Sequence, residues 1–119
     1  MGDDERHVLV IDDETGLIDL FEIWLTDEYA VTTATSGESA FEALDESVDV
    51  VLLDWRLPDV SGETILDHLD EHGLDPAVAV VTGAEPETEG IGGRVDTVLQ
   101  KPIDRQELCA AIDDLLASR

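Results

Sequence analysis

Blocks of aliphatic and β-branched residues recur five times along the 119-residue chain, at 7–11, 29–34, 48–53, 77–81 and 97–100. Several are apolar at nearly every position, Val50-Val51-Leu52-Leu53 most completely. A strand of that kind has no face to give to water, so it belongs in a parallel sheet covered by helices on both sides. The intervening stretches supply the cover. Residues 14–28 carry Leu17, Phe21, Trp24 and Leu25 at helical spacing; a second segment follows Thr35-Ser36-Gly37-Glu38, which reads as a capping box, and carries Phe41 and Leu44. A third, after Ser61-Gly62, carries Ile65, Leu66 and Leu69 and stops at Gly73; the last follows the box-like Asp104-Arg105-Gln106-Glu107 and carries Leu108, Ile112 and Leu115. The expectation is an α/β repeat that fills residues 1–119 as a single domain, with no linker and no second domain. Residues 85–95, with Pro86, Gly90, Gly92 and Gly93, break the pattern, so the helix before the fifth strand is expected to be short or irregular. Those glycines lack the spacing of a dinucleotide fingerprint.

The charge excludes several partners. Thirty Asp and Glu stand against six Lys and Arg, a formal charge of -24, yet 43% of the residues are hydrophobic, enough for a folded core. A surface this negative repels nucleic acid and anionic membranes. The apolar runs are too short to span a bilayer and the N-terminus has no signal-peptide pattern, so a cytoplasmic protein is expected. The lone Cys109 excludes an internal disulfide; its spacing with Ile112 and Leu116 suggests a small buried hydrophobe. The acids are spread over every segment, so their repulsion belongs to the whole surface and should weaken as salt shortens the screening length from about 10 Å to about 3 Å. The composition is similar to that of haloarchaeal proteins, and a halophilic source is expected over an ordinary acidic domain.

In an open parallel sheet, ligands bind beyond the carboxyl ends of the strands. At those ends stand Asp12-Asp13, Asp54, Thr82-Gly83 and Lys101-Pro102, and Lys101 is the only lysine in the chain. Asp-Asp alone would be read as a solvated turn and Thr-Gly as an ordinary strand end, but Asp54 closes an apolar run, where an idle carboxylate would be costly. Two carboxylates about 4 Å apart repel by roughly 4 kcal/mol at an effective dielectric of about 20, so three together call for a cation or a proton. Oxygen donors alone favour a hard ion such as Mg²⁺, and a carboxylate beside a metal, an ammonium and a hydroxyl is equipped for phosphoryl chemistry. His68 and His72 have the spacing of a helical metal pair, but without the intervening glutamate of a zinc protease they read as a helix face.

The ordered set Val8-Leu9-Val10-Ile11-Asp12-Asp13-Glu14, Val51-Leu52-Leu53-Asp54-Trp55-Arg56-Leu57-Pro58, Gly62, Val81-Thr82-Gly83 and Lys101-Pro102 resembles the receiver domain of two-component response regulators, and its wording is most similar to haloarchaeal receivers. The resemblance covers essentially the whole chain. It implies a flavodoxin-like doubly wound (βα)5 sandwich with a five-stranded parallel sheet in the order 2-1-3-4-5. It also implies that Asp54 is the phosphoacceptor for a sensor histidine kinase and that Asp12, Asp13, Asp54 and the Arg56 backbone carbonyl hold Mg²⁺ or Mn²⁺. Thr82 and Lys101 would bind the phosphoryl group, Lys101-Pro102 would be cis, Gly83 would leave access open, and Arg56 and Ala84 would tune dephosphorylation. The implied protein is a signalling switch with at most slow autodephosphorylation, acting on a downstream effector protein and with phosphorylation-dependent dimerisation left open. Its departure from the family pattern is Val98, three residues before the lysine, where the family usually has Tyr or Phe. Two rival readings are a phosphorylation-independent binding module of the same shape and a small aspartyl-nucleophile phosphatase. The phosphatase wants a second Asp where this chain has Arg56, and a cap domain besides.

Overall fold

The computed structural model describes residues 5–83, 91 and 93–118. Its five strands are β1 (His7–Ile11), β2 (Ala30–Ala34), β3 (Val50–Asp54), β4 (Ala77–Thr82) and β5 (Thr97–Gln100), all parallel and ordered β2-β1-β3-β4-β5. Four helices are described: α1 (Thr15–Leu25), α2 (Gly37–Ala43), α3 (Gly62–Glu71) and α4 (Arg105–Ala117). This is the parallel α/β repeat that the alternating blocks imply, in the doubly wound, flavodoxin-like form that the resemblance implies. Of the irregular stretch at 85–95, residues 85–90 and 92 lie outside the described residues, as does Ala84.

The period-two geometry of the strands divides the core in two. Leu9, Ile11, Val51, Leu53, Val78 and Val80 face α2 and α3, where Ala40, Ile65, Leu66 and Leu69 meet them. Val8, Val10, Val50, Leu52, Ala79 and Val81 face the other way, onto Ile18, Phe21 and Leu25 of α1 and Leu108 and Ile112 of α4. Every residue of β3 and β4 is buried, so the continuous apolar runs report a central strand pair covered on both faces.

Helix starts follow their caps. Asp104 and Glu107 form the expected reciprocal box at α4. At α2 the box is built by Ser36 with Ser39, not with a glutamate, and the helix ends at Ala43, leaving Leu44 as its C-cap. α1 ends at Leu25, three residues short of the expected 28, in a turn from which Tyr29 N–H reaches back to the Leu25 carbonyl at 2.9 Å. Gly73, at φ +65°, takes the left-handed turn beyond α3.

Candidate functional site

Strand register brings the polar ends together. Ile11 pairs with Leu53 and Asp54 with Val81, so Asp12 leaves β1 beside the end of β3. Thr82 pairs with Gln100, and the Lys101 N–H donates to the Thr82 carbonyl at 2.7 Å, which sets Lys101 beyond the same rim. Lys101-Pro102 is cis.

Asp12 and Asp54 are each held by the turn that follows them. Asp12 is 2% exposed; its Oδ1 accepts the Glu14 N–H at 2.9 Å, and its backbone N–H donates to the Ala34 carbonyl. Asp54 is 8% exposed, and its Oδ1 accepts the Arg56 N–H at 3.1 Å. Asp13 is exposed. One oxygen from each of Asp12, Asp13 and Asp54 lies within 4.8 Å of the others, the one such cluster of three metal-ligating groups among the described residues. Burial pushes the Asp54 carboxyl up to about 6; the Arg56 N–H opposes it, Asp12 adds to it, Lys101 opposes it and Asp13 adds to it.

Lys101 Nζ stands 2.7 Å from Glu14 Oε1, 3.2 Å from Asp12 Oδ2 and 3.8 Å from Asp54 Oδ2. Burial pulls the ammonium down, but the hydrogen bond to Glu14 and the charges of Asp12 and Asp54 outweigh it and hold the group above its ordinary value. Thr82 is buried at the end of β4, and Gly83 beside it is exposed.

The loop after Asp54 is pinned on two sides. The Trp55 ring lies against Gly62 so closely that a Cβ there would come within 2.2 Å of Trp55 Cε3. The Asp59 carboxylate accepts the N–H groups of Gly37 and Glu38 at 2.9 and 3.2 Å, tying the loop to the start of α2, and the first of these bonds holds that carboxyl below its usual range. Val60 fills the space that a side chain at Gly37 would need.

The structure thus gathers Asp12, Asp13, Asp54, Thr82, Lys101 and the Arg56 backbone at one rim. Glu14 and Asp59 were not singled out from the sequence as members of this site. Glu14 sat in view in the Asp-Asp-Glu run, whereas Asp59 carries no local signal, because its partners are 21 and 22 residues away. The helix-face reading of His68 and His72 needs one refinement: Phe41, His68 and His72 form a stack, with ring centroids 4.7 and 4.1 Å apart, so His68 is a packing residue between α2 and α3. Cys109 is half-buried, and burial raises its thiol.

A doubly wound α/β domain with an acidic trio and a lysine at the carboxyl rim of its sheet defines a narrow class. The response regulator receiver domain family matches residues 8–113, and the chain belongs to that family. A Haloferax volcanii protein that bears the name of a transcriptional regulator is 43% identical over 113 residues, 94% of this chain and 19% of that protein. The Staphylococcus aureus response regulator SaeR is 32% identical, over 92% of this chain and 50% of its own length. The chain therefore spans about a fifth and a half, respectively, of these two relatives. Among solved structures, the beryllofluoride-activated receiver domain of DrrB, a Thermotoga maritima protein, superposes with a TM-score of 0.84 at 26% identity, covering 95% of this chain and 98% of that one. A CheY-like receiver from Methanospirillum hungatei gives 0.83 at 25% identity, covering 97% and 96%. The chain is a haloarchaeal-like receiver domain of two-component signalling.

Proposed function

We propose that Asp54 accepts a phosphoryl group from the phosphohistidine of a sensor histidine kinase, and that the modified domain changes its affinity for a downstream effector protein. The observation that carries this reading is the placing of Asp54: buried at a strand end, clustered with two further carboxylates and with the ammonium of Lys101 at 3.8 Å. A carboxylate oxygen of Asp54 attacks phosphorus, the bond from phosphorus to the imidazole nitrogen breaks, and the electron pair leaves with that nitrogen. Lys101 would take a phosphoryl oxygen in a charge-assisted hydrogen bond, and the Thr82 hydroxyl would donate to another. Exposed Gly83 leaves that approach open.

The donor set fits a hard divalent cation. Asp12, Asp13 and Asp54 offer oxygens alone, clustered within 4.8 Å, and would hold Mg²⁺ or Mn²⁺ together with the Arg56 carbonyl. When bound, such an ion neutralises the crowded carboxylates and the charge on the phosphoryl oxygens.

The approach for a donor protein is marked by Leu17, Leu20, Phe21, Pro102 and Ile103, which line a depression beside Lys101 and Gly83. Leu20 and Ile23 on the same helix are the exposed large hydrophobics among the described residues, with Ile23 70% exposed. Residues 1–119 would act as one receiver unit. No described helix is long and apolar enough to cross a membrane, and the charge opposes direct contact with nucleic acid.

Intact mass after incubation with acetyl phosphate and Mg²⁺ tests the reading. The parent should gain one phosphoryl group that persists, and Asp54→Asn should gain none. Rapid turnover of the donor without a stable adduct would point to a phosphatase, and no reaction to a phosphorylation-independent module.

A further inference from the structure

Lys101 is tied most closely to a residue outside the phosphoacceptor set. Its ammonium lies 2.7 Å from Glu14 Oε1, closer than to Asp12 or Asp54. An ammonium has three protons to donate, and in this arrangement three carboxylates face them. Asp54 Oδ2, at 3.8 Å, is beyond hydrogen-bond distance, so Glu14 and Asp12 hold the ammonium short of Asp54, and a phosphoryl oxygen on Asp54 competes with those two for it. Asp12 is buried and braced by the Glu14 N–H, so it is not free to withdraw. The Glu14 side chain is 60% exposed and has water to receive it. Although Glu14 is the N-cap residue of α1, its side chain makes no capping hydrogen bond, so nothing else in the helix start requires that carboxylate.

We propose that Glu14 is a positioning residue that tethers Lys101 in the resting domain and competes with the phosphoryl group for its ammonium, so that it acts as a brake on modification at Asp54. This rests on the phosphoacceptor reading above. Two consequences separate the tether from the general acidity of the chain. A contact at 2.7 Å is shorter than the screening length of about 3 Å in molar salt, so it is screened less than the diffuse repulsion of the surface. Contact also depends on reach: Glu14→Asp keeps the charge but is one methylene shorter, whereas Glu14→Gln keeps the length and loses the charge.

Two measurements on the full chain in molar KCl test this. Beryllofluoride binding with Mg²⁺, followed by tryptophan fluorescence, should be tighter in both Glu14→Gln and Glu14→Asp by about two- to fivefold, the range expected for one partly exposed ion pair. Lys101 is the only lysine, so selective lysine labelling gives a single unambiguous side-chain NMR signal. Its Cε should become more mobile in both variants before any phosphoryl mimic is added, while backbone amides away from the rim stay unchanged. Unchanged or weaker beryllofluoride binding in Glu14→Gln overturns the brake. An Asp variant that matches the parent while the Gln variant binds more tightly assigns the effect to charge and overturns the tether. If the parent itself does not take up beryllofluoride, the phosphoacceptor reading fails, and the lysine signal still decides: equal mobility in parent and variants removes the tether as well.

Discussion

Asp54 is a carboxylate folded into a place that favours its protonated form. Its ordinary value of 3.8 is pushed up to about 6, with burial as the largest cause. The sign follows from linkage: between those values the folded state keeps a proton that the unfolded state has released, so the stability contributed by this group is present at low pH and lost as pH rises through about 6. At about 1.4 kcal/mol per tenfold change in proton affinity, a rise from 3.8 to about 6 sets a ceiling of roughly 3 kcal/mol, to be discounted for the relaxation of nearby charges. In chelator-treated protein, Asp54→Asn should therefore be more stable than the parent at pH 7 by about 1–3 kcal/mol, and the gap should narrow toward pH 4. Urea unfolding of the two proteins at both pH values checks this, and the difference between them cancels contributions such as that of His68, whose imidazole burial holds low. A gap that stays constant with pH would refute the protonation account. The same residue shows why the site could be read from sequence. Asp12, Asp54, Thr82 and Lys101 each terminate or follow an apolar block, so locating the strands located the polar groups at their ends. The Glu14–Lys101 pair spans 87 residues and leaves no trace in local pattern. Its existence depends on how two strand ends converge.

At the scale of elements, the strands were legible to within two residues, the central β1, β3 and β4 because burial on both faces leaves little alternative composition and the half-buried edge strands β2 and β5 because they keep a short β-branched or aliphatic block. Helix ends were less so. α1 stops at Leu25 although the acidic, helix-compatible residues continue to Glu28, because the chain must turn for Tyr29 to be buried and for Ala30 to enter β2. The cap at α2 was misplaced by one residue: the Thr35–Glu38 spacing suggested the box, but Ser36 and Ser39 satisfy each other one position on. The contact between Trp55 and Gly62 was invisible for another reason: it joins the loop after β3 to the first turn of α3 by close approach, not by periodicity. It makes a sharp prediction. Gly62→Ala places a methyl group where the Trp55 ring lies, and overpacking of this kind should cost about 1–3 kcal/mol despite alanine's better helix propensity. Thermal unfolding together with Trp55 emission reads both effects. A variant as stable as the parent would mean that the ring moves aside freely and that the loop is not fixed from this side.

The whole molecule carries a charge of -24, and the ion pairs of Lys101 and Arg94 offset only a small part of it. Arg94 bridges Asp67 and Asp70 at 3.0 Å each, but all three side chains are substantially exposed, and such pairs contribute little. What the fold must withstand is the sum of many weak repulsions acting over the screening length, about 10 Å in dilute buffer and about 3 Å in molar salt. The core on either face of the sheet is ordinary in kind, so the charge, more than the packing, should govern how stability responds to the medium. The midpoint of thermal unfolding should rise steeply as KCl increases toward molar concentration, then flatten once the screening length falls below the spacing of surface acids. Neutralising Asp19, Glu22 and Glu63 together, as Asp19→Asn, Glu22→Gln and Glu63→Gln, removes three exposed charges without touching the rim and should make that rise shallower. Sucrose, which strengthens burial without screening charge, should stabilise parent and triple variant equally. If KCl stabilised both proteins with the same slope, its action would be on apolar burial, and self-repulsion would not be the quantity that salt relieves in this receiver.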